Sequence, residues 1–509
     1  MNTIVMERDT LEAVSGLIER RMGLHFPAER HDTLVRGLER GGAEMGFASP
    51  DAYAVRLLAT GITPAEQDML AQVLTVGETY FFREPAVLKA LEEQILPSLI
   101  DARGKTGERR IRMWSAGCCT GEEAYTLAIM LARLIPALSE WDITVLATDI
   151  NPDFLAKARA GRYREWSFRG APAWLKPGFF TKHANGDYEL SKHVQRMVSF
   201  SYLNLVDDAY PSLVNNTAAM DVILCRNVMM YFAPDRARLV AGRFHRSLLE
   251  GGWLAMSPSE GCSGSADLFA RVSFDNATLY RKSATALAQP ACSGDAAFRA
   301  APVRLAPVIP VPLANLEGER PREPQRTRSQ TAPRPVPCAS APLIAAKAPL
   351  AAATDAYSQS NYQAVLSIIA ALAEPTVAIL VLAARAAANL GRLDEALAWC
   401  KKALERDKLQ ASVHHLLATV LMAKRDEPAA LEALKRVLYL EPHSILAHFT
   451  TANLLLQTGE TTRALGHFRK TLFLLNKMVD SAVVPDSDGM TAERLKVIVR
   501  HLQESLART

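Results

Sequence analysis

The spacing of hydrophobic positions changes along the chain, and each change predicts a different kind of structure. Over residues 1–95, apolar side chains recur every three or four positions. In "DTLEAVSGLIERRMG", for example, Leu11, Val14, Leu17 and Ile18 would share one face of a helix. The charged residues between them would fall on the opposite face. These residues are therefore predicted to form a helical domain.

The second predicted helix carries Arg30, Arg36 and Arg40 on its outward face, within and just before "HDTLVRGLERG". A charged stripe of this kind is usually a solvated helix face. It could also be a docking surface for an acidic helix of a partner protein, because complementary charges steer and orient association. Both interpretations remain open at this level.

Between residues 96 and 285, short apolar runs alternate with helical patterns. "RIRMWSA" and "DITVLATDI" predict strands, each followed by a helix, and three more strands are predicted in "MVSFSYLNL", "MDVILCRNV" and "GGWLAMSP". Strands that alternate with helices through short turns predict a parallel, doubly wound α/β sheet of Rossmann-like type. Ligands of such sheets lie at the carboxyl ends of the strands.

Residues 286–350 are rich in Pro, Ala and Arg and poor in aromatic side chains, so they are predicted to be a flexible linker. The remainder, 351–509, is repetitive. "GRLDEALAWCKKAL", "RDEPAALEALKRVL" and "GETTRALGHFRKTL" begin at Gly391, Arg425 and Gly459, 34 residues apart. This period is typical of tetratricopeptide repeats, which stack into a concave surface that binds proteins. A capping helix is predicted at 490–507.

Composition narrows the function classes. A net charge of +4 over 509 residues gives no concentrated basic surface, so nucleic acid is not an expected partner. The seven cysteines are scattered and lack the spacing of a metal site, which is typical of reduced thiols. The first residues do not resemble a signal peptide, and no apolar run reaches the ~18 residues that a membrane helix needs. A cytoplasmic protein without membrane insertion is expected.

Candidate chemistry begins at the turn "SAGCCTGEEAY", which follows the first predicted strand and contains Gly117, Glu122 and Glu123. The turn lacks both the G-x-G-x-x-G spacing and the lysine of phosphate-binding loops. Two acids at a helix N-terminus would repel a pyrophosphate. They suit a ligand that carries hydroxyl groups or positive charge, although at least one of them is expected only to complement the helix dipole.

Further polar residues are predicted at the same edge of the sheet. Asp149 ends the second strand, where it could accept hydrogen bonds from a ribose diol or serve simply as a turn residue. Arg226 and Asn227 end a later strand, and Tyr231 follows them. Arg83, after two aromatic residues, could lie over an apolar surface or face a carboxylate. A nucleoside without phosphate fits this set, and S-adenosylmethionine is the predicted ligand.

Several of these segments together resemble the CheR family of chemotaxis receptor methyltransferases. The similarity is carried by "SAGCCTGEEAYTLAI", "ATDINPDFLAKARAGRY", "VSFSYLNL" and "CRNVMMYF", and also by "TVGETYFFRE" in the helical domain. It implies a methyltransferase domain over 96–285 with a small β insertion. The added linker and repeats are similar to the family branch that serves chemosensory-like pathways for development or surface behaviour.

The resemblance also implies a reaction and a site. A methyl group of S-adenosylmethionine would pass to glutamate side chains on the cytoplasmic domain of a chemoreceptor, leaving S-adenosylhomocysteine. Arg83 and Tyr231 match the residues expected at the reacting centre. The expected cofactor contacts come from several motifs: Gly77, Thr79, Arg83, Gly117, Glu123, Asp149, Asn204, Leu205, Arg226 and Asn227. Gly77 departs from the family pattern, because many members carry Asn there.

Two alternatives remain. The chain could be a scaffold that only senses S-adenosylmethionine, with the repeats carrying the function, although the intact set of site residues argues against this. A small-molecule or nucleic-acid methyltransferase would leave the N-terminal match unexplained. The repeats imply a further protein partner. The division into domains also predicts that removing residues 286–509 leaves cofactor binding intact.

Overall fold

The computed structural model describes residues 6–212, 215–258, 260, 268–283, 347–359, 361–487 and 490–507, so most of the predicted linker lies outside the described residues. The first part of the chain is helical, as predicted. Its helices are α1 (Arg8–Met22), α2 (His31–Glu44), α3 (Pro50–Thr60), α4 (Pro64–Leu74), α5 (Pro85–Ala90) and α6 (Leu96–Thr106). Helices α1 to α4 bury a common core that includes Val14, Ile18, Leu34 and Leu57.

Strands and helices then alternate. In chain order they are β1 (Arg110–Ala116), α7 (Glu122–Leu134), β2 (Asp142–Asp149), α8 (Pro152–Ala160), β3 (Arg162–Tyr163), α9 (Leu175–Phe179), β4 (Phe180–Lys182), β5 (Tyr188–Leu190), α10 (Lys192–Gln195), β6 (Val198–Tyr202), β7 (Met220–Cys225), α11 (Pro234–Ser247), β8 (Leu248–Met256), β9 (Ala270–Phe274) and β10 (Ala277–Arg281). Helix α8 begins as expected, because the Asn151 side chain accepts from the backbone N–H groups of residues 153 and 154.

The main sheet has the strand order β6-β2-β1-β7-β8-β10-β9. Strands β6, β2, β1, β7 and β8 are parallel, which confirms the Rossmann-like prediction for this part. At one edge the sheet departs from the predicted parallel pairing, because β10 pairs antiparallel with β8 and β9. This hairpin escaped the sequence because β9 alternates half-buried and exposed positions instead of forming an apolar run.

Strand β1 lies at the point where the strand order reverses, with β2 on one side and β7 on the other. The helices that follow β1 and β7 therefore leave the sheet on opposite faces, which opens a crevice at the carboxyl ends of these strands. All three strands are almost entirely buried. This topology brings residues from distant motifs to one edge of the sheet.

The predicted β insertion is a separate antiparallel sheet with the order β3-β5-β4, placed between α8 and β6. Aromatic packing joins it to the segment before the main sheet, since the rings of Phe81 and Phe168 stack with their centroids 5.2 Å apart. The backbone N–H of Phe81 also donates to the carbonyl of Ser167 over 2.9 Å. The insertion therefore supports the segment that carries Arg83.

The C-terminal region consists of stacked helical pairs, as the repeats predict. Its helices are α12 (Lys347–Ser358), α13 (Tyr362–Ala370), α14 (Val377–Asn389), α15 (Leu393–Arg406), α16 (Ala411–Ala423), α17 (Glu427–Leu440), α18 (Ile445–Gln457), α19 (Thr461–Leu475) and α20 (Ala492–Ala507). Gly391, Arg425 and Gly459, which are 34 residues apart, all adopt positive φ values at equivalent turns. Among the residues that the structure describes, no helix combines the length and apolar character needed to cross a membrane.

The repeats pack against the domain that contains the main sheet. At the turn between α16 and α17, Arg425 forms an ion pair of 2.6 Å with Asp142 at the start of β2 and donates to the carbonyl of Ile143. At the far end of the repeats, Glu493 and Arg494 of α20 contact α1 and the loop after β6. The helical stack is therefore fixed to the domain that contains the main sheet and, through α1, to the N-terminal helical domain.

Candidate active site

A cavity opens at the carboxyl ends of β1, β2, β6 and β7, beneath α1 and the segment before the main sheet. The sequence predicted eleven site residues in separate motifs. All except Gly77 line this cavity: Thr79, Arg83, Gly117, Glu123, Asp149, Asn204, Leu205, Arg226, Asn227 and Tyr231. The strand order explains the convergence of those that follow or end strands, while Thr79 and Arg83 come from the segment before the main sheet. The individual roles of these residues remain predictions.

The turn after β1 packs against the end of β2. The N–H groups of Gly117 and Cys118 both donate to the carbonyl of Thr148, over 2.8 and 2.9 Å. Gly117 has φ +82°, and a Cβ at this position would lie 2.4 Å from a methyl carbon of Val228. A side chain would therefore be both strained and obstructed here, which explains the glycine. The turn lines the cavity and has no phosphate-binding pattern.

Asp149 lies buried at the base of the cavity. Its two carboxylate oxygens accept from the backbone N–H groups of Cys119 and Asn151, both over 2.8 Å. Burial raises the pKa of Asp149 to about 6, against the lowering effect of these hydrogen bonds. The remaining lone pairs of the carboxylate suit hydroxyl donors such as a ribose diol.

Glu123 and Arg226 form an ion pair across the cavity wall. The guanidinium Nε donates to Glu123 over 2.7 Å, and the Ser115 hydroxyl donates to the other oxygen of the same carboxylate over 2.7 Å. A second nitrogen of Arg226 donates to the carbonyl of Arg83 over 2.7 Å, and Glu84 lies 3.7 Å away. Arg226 thus connects the helix after β1 to the segment that carries Arg83.

Glu122, next to Glu123, belongs to a different environment. Its side chain is buried and accepts from the hydroxyls of Thr120 and Ser167, over 2.6 and 3.0 Å. Burial raises the pKa of Glu122, because the charged form is poorly solvated there. Glu122 does not line the cavity, and its contact with Ser167 fastens the β insertion to α7. The adjacent acids therefore divide into one cavity residue and one structural residue.

The backbone around Arg83 is unusual. Phe82 and Glu84, on either side of it, have φ values of 60° and 55°, a region that costs a non-glycine residue about 1–3 kcal/mol. Contacts hold this conformation: the N–H of Phe82 donates to the Thr126 hydroxyl over 3.3 Å, and Arg226 holds the carbonyl of Arg83. The surrounding structure therefore determines where the Arg83 side chain enters the cavity.

Asn227 and Tyr231 lie on the turn after β7, where Asn227 has φ 59°. Glu260, which the sequence reasoning missed, organises this turn: its carboxylate accepts from the N–H groups of Asn227 and Met230, over 2.8 and 3.3 Å. The Tyr231 ring lies beneath the guanidinium of Arg30, 5.2 Å from its centroid. The position of Glu260 soon after the end of β8, at the edge of the sheet where the cavity lies, is the sequence signal that could have indicated it.

Gly77, the predicted cofactor residue that departs from the family pattern, is not among the residues that line the cavity. A Cβ built on it would approach the ring of Phe154 to 2.9 Å. Phe154 itself lines the cavity. The ring therefore occupies the space into which an asparagine side chain would extend, and the two residues are matched to each other.

The donor set of the cavity fits S-adenosylmethionine. Apolar side chains line one part of the wall, where an aromatic base can pack: Met22, Leu24, Ile150, Phe154 and Leu205. Asp149 offers acceptors to a ribose, and the acids balance a positively charged ligand. Arg83 and Arg226 supply cationic donors for a carboxylate.

Comparison with known proteins agrees with this assignment. Residues 77–278 match the family described as "CheR methyltransferase, SAM binding domain", and residues 377–408 match a tetratricopeptide repeat. Chemotaxis protein methyltransferase 2 of Vibrio cholerae is 35% identical over 43% of this chain and 73% of its own length. A probable chemotaxis protein methyltransferase of Rhizobium etli is 35% identical over 47% of this chain and 86% of its own length.

A probable biofilm formation methyltransferase, WspC, of Pseudomonas putida is 28% identical over 88% of this chain and 94% of its own length. This similarity therefore extends through the repeats as well. Fold, cavity and comparisons together define an S-adenosylmethionine-dependent methyltransferase of chemotaxis-like signalling. The chain belongs to the CheR family of chemotaxis methyltransferases and carries C-terminal tetratricopeptide repeats.

Proposed function

We propose that this protein transfers the methyl group of S-adenosylmethionine to glutamate side chains on the cytoplasmic helices of a chemoreceptor. The products are glutamyl methyl esters and S-adenosylhomocysteine. The observation that carries the proposal is the convergence, in one cavity, of Asp149 with the Glu123–Arg226 pair and Arg83. The names of the V. cholerae and R. etli relatives support a role in chemotaxis.

The residues of this chain bind and orient, and none is needed as a general base. A glutamate with its ordinary pKa of about 4.3 is already ionised at neutral pH and is a sufficient nucleophile. When bound, S-adenosylmethionine supplies an electrophilic methyl group on a positively charged sulfur. What remains for the protein is alignment of the reacting groups and exclusion of water.

The contacts support the following roles for individual residues. Asp149 and Glu123 bind the cofactor. Arg83 orients a carboxylate, of the cofactor or of the substrate, by a charge-assisted hydrogen bond. A tight grip on the substrate carboxylate would lower its nucleophilicity, so orientation is the better role for Arg83. Tyr231, held from outside by Arg30, lines the approach to the cavity.

The test uses the purified full-length chain, S-adenosylmethionine labelled in its methyl group, and membranes that contain a chemoreceptor. We expect base-labile label on the receptor, released as methanol, and loss of that label in the Asp149→Ala variant. Asp153→Ala is the matched control, because Asp153 is an exposed acid in the first turn of α8. Binding of S-adenosylmethionine without any base-labile methylation of receptors would contradict the proposed substrate.

The same preparation separates the enzyme from a sensing scaffold. We expect that an Arg83→Ala variant that still binds S-adenosylmethionine but cannot methylate also fails to restore signalling in a deletion strain. Full signalling by such a variant would favour the scaffold. The repeats are proposed to bind a further protein of the pathway, which a pulldown with residues 353–509 as bait would identify.

A further inference from the structure

The last helix of the repeats lies against the wall of the cofactor cavity. Two consecutive residues of α20 make ion pairs with the methyltransferase side of the molecule: Glu493 with Arg21 over 2.6 Å, and Arg494 with Asp207 over 2.9 Å. Arg21 belongs to α1, and Asp207 to the loop after β6. Both partners lie hundreds of residues away in the chain, so this contact joins the repeats to the opposite end of the protein.

The Arg494–Asp207 pair reaches one side chain of the cavity, that of Asn204, and Arg21 contacts the same side chain through its backbone. Its amide nitrogen donates to the carboxylate of Asp207 over 3.2 Å and to the backbone carbonyl of Arg21 over 3.0 Å. Asn204 is buried and lines the cavity. Asp207, which holds the amide group on one side, is therefore held in turn by Arg494, while Arg21, whose backbone carbonyl holds it on the other side, pairs with Glu493 through its side chain.

Helix α20 is itself firmly placed. Leu495, Ile498 and Val499 are buried in an apolar cluster, and Lys496 pairs with Asp480 of the preceding segment over 2.6 Å. The position of Arg494 is thus determined by the packing of the repeats. Movement of α20 would break the pair between Arg494 and Asp207 and loosen the hold of Asp207 on the Asn204 amide, whose oxygen also accepts from the N–H of Val206 over 3.3 Å.

We propose that α20 is part of the cofactor site, with Arg494 as a residue that positions Asn204 through Asp207. This inference rests on the proposed function, because it concerns the affinity of the same cavity for S-adenosylmethionine. Docking of the repeats then favours cofactor binding, and a partner that shifts α20 changes that affinity. The structure therefore leads to an expectation opposite to the sequence-based one that cofactor binding is independent of residues 286–509.

The test compares Arg494→Met, Asp207→Asn and the double variant in the full-length chain by calorimetric titration with S-adenosylmethionine. Arg500→Met is the matched control, because Arg500 is exposed on the same helix. We expect each single variant to raise the dissociation constant about fivefold, as loss of one positioned charge-assisted contact does. The double variant should bind S-adenosylmethionine as tightly as the single variant with the larger loss of affinity. The reason is that both changes break the same chain of contacts.

Kinetics distinguish positioning from general loss of structure. The KM for S-adenosylmethionine should rise with the dissociation constant in Arg494→Met, while kcat at saturation changes less than about twofold. Arg494→Lys should recover part of the affinity. If Arg494→Met folds poorly, Glu493→Gln, which keeps the size of the side chain, should still raise the dissociation constant about twofold to threefold through Arg21.

Two negative results are distinguishable. Wild-type affinity in Arg494→Met, or additive losses in the double variant, would overturn the role of α20 and leave the proposed methyltransferase intact. Failure of the wild-type chain to bind S-adenosylmethionine would instead reject the proposed function itself.

Discussion

Replacement of Arg226 by methionine tests the organisation of the cavity most directly. The substitution preserves much of the side-chain volume but removes the partner of Glu123 and the donor to the carbonyl of Arg83. The side chains of Arg226 and Glu123 are only 3% and 12% exposed. The Glu123 carboxylate would therefore lose its cationic partner and keep only the hydrogen bond from the Ser115 hydroxyl.

The expected loss of stability is large. Removal of one member of a buried ion pair lowers the free energy of unfolding by about 3–5 kcal/mol. Because Glu123 is partly exposed, we expect the lower end of this range, about 3 kcal/mol. For a domain of this size that corresponds to a fall in melting temperature of about 6–12 °C. The assay is thermal unfolding of the full-length chain, following the transition that added S-adenosylmethionine shifts, because the ligand identifies the domain that binds it.

A double variant supplies the refutation. If the cost arises from an unpaired carboxylate, Arg226→Met with Glu123→Gln should be more stable than Arg226→Met alone, by about 1–2 kcal/mol. Arg271→Met, at an exposed position of β9, is the control for the substitution itself. Additive destabilisation in the double variant would show that lost packing, and not the stranded charge, explains the effect.

Three further outcomes follow from the cavity. Because burial raises the pKa of Asp149 to about 6, its ionised form is lost as pH falls through that value, so affinity for S-adenosylmethionine should decline below pH 6 by calorimetry; a similar decline in Asp149→Asn would assign the dependence to another group. Gly117→Ala should weaken cofactor binding more than about tenfold, because the added methyl group would press against Val228. Gly178→Ala is the control, since the space around Gly178 is open, and equal affinities of the two variants would contradict the close approach. Gly77→Asn should lower the melting temperature, and adding Phe154→Ala should restore part of it; no recovery would mean that Phe154 is not the obstacle.

The sequence was most informative where local pattern and topology agree. Asp149 ends β2, Arg226 follows β7, and Glu123 lies in the first turn of the helix after β1. The parallel order of β1, β2 and β7 brings these strand ends to one edge. The 34-residue period likewise predicted the equivalent turns at Gly391 and Gly459. In these cases the position along the chain is enough to predict the position in the fold.

Other features depend on contacts between distant parts of the chain, which no local pattern contains. The pairing of Arg494 with Asp207 spans 287 positions and needs the docked repeats to exist. The Phe154 ring, which occupies the space that an asparagine side chain at position 77 would need, lies on α8. Only the distance between the two residues in the structure reveals this conflict. Glu260 acts through backbone N–H groups, and so its role required the geometry of the turn after β7.

The left-handed backbone at the cavity has a consequence for engineering this protein. Phe82, Glu84, Cys119 and Asn227 all have positive φ values, and each costs the fold about 1–3 kcal/mol while holding a wall of the site in place. Glycine would relieve that cost most cheaply at Cys119, where the side chain is small. Thermal stability is thus easiest to gain at positions where the site depends on a fixed geometry. Selection for heat resistance alone would therefore tend to lower activity.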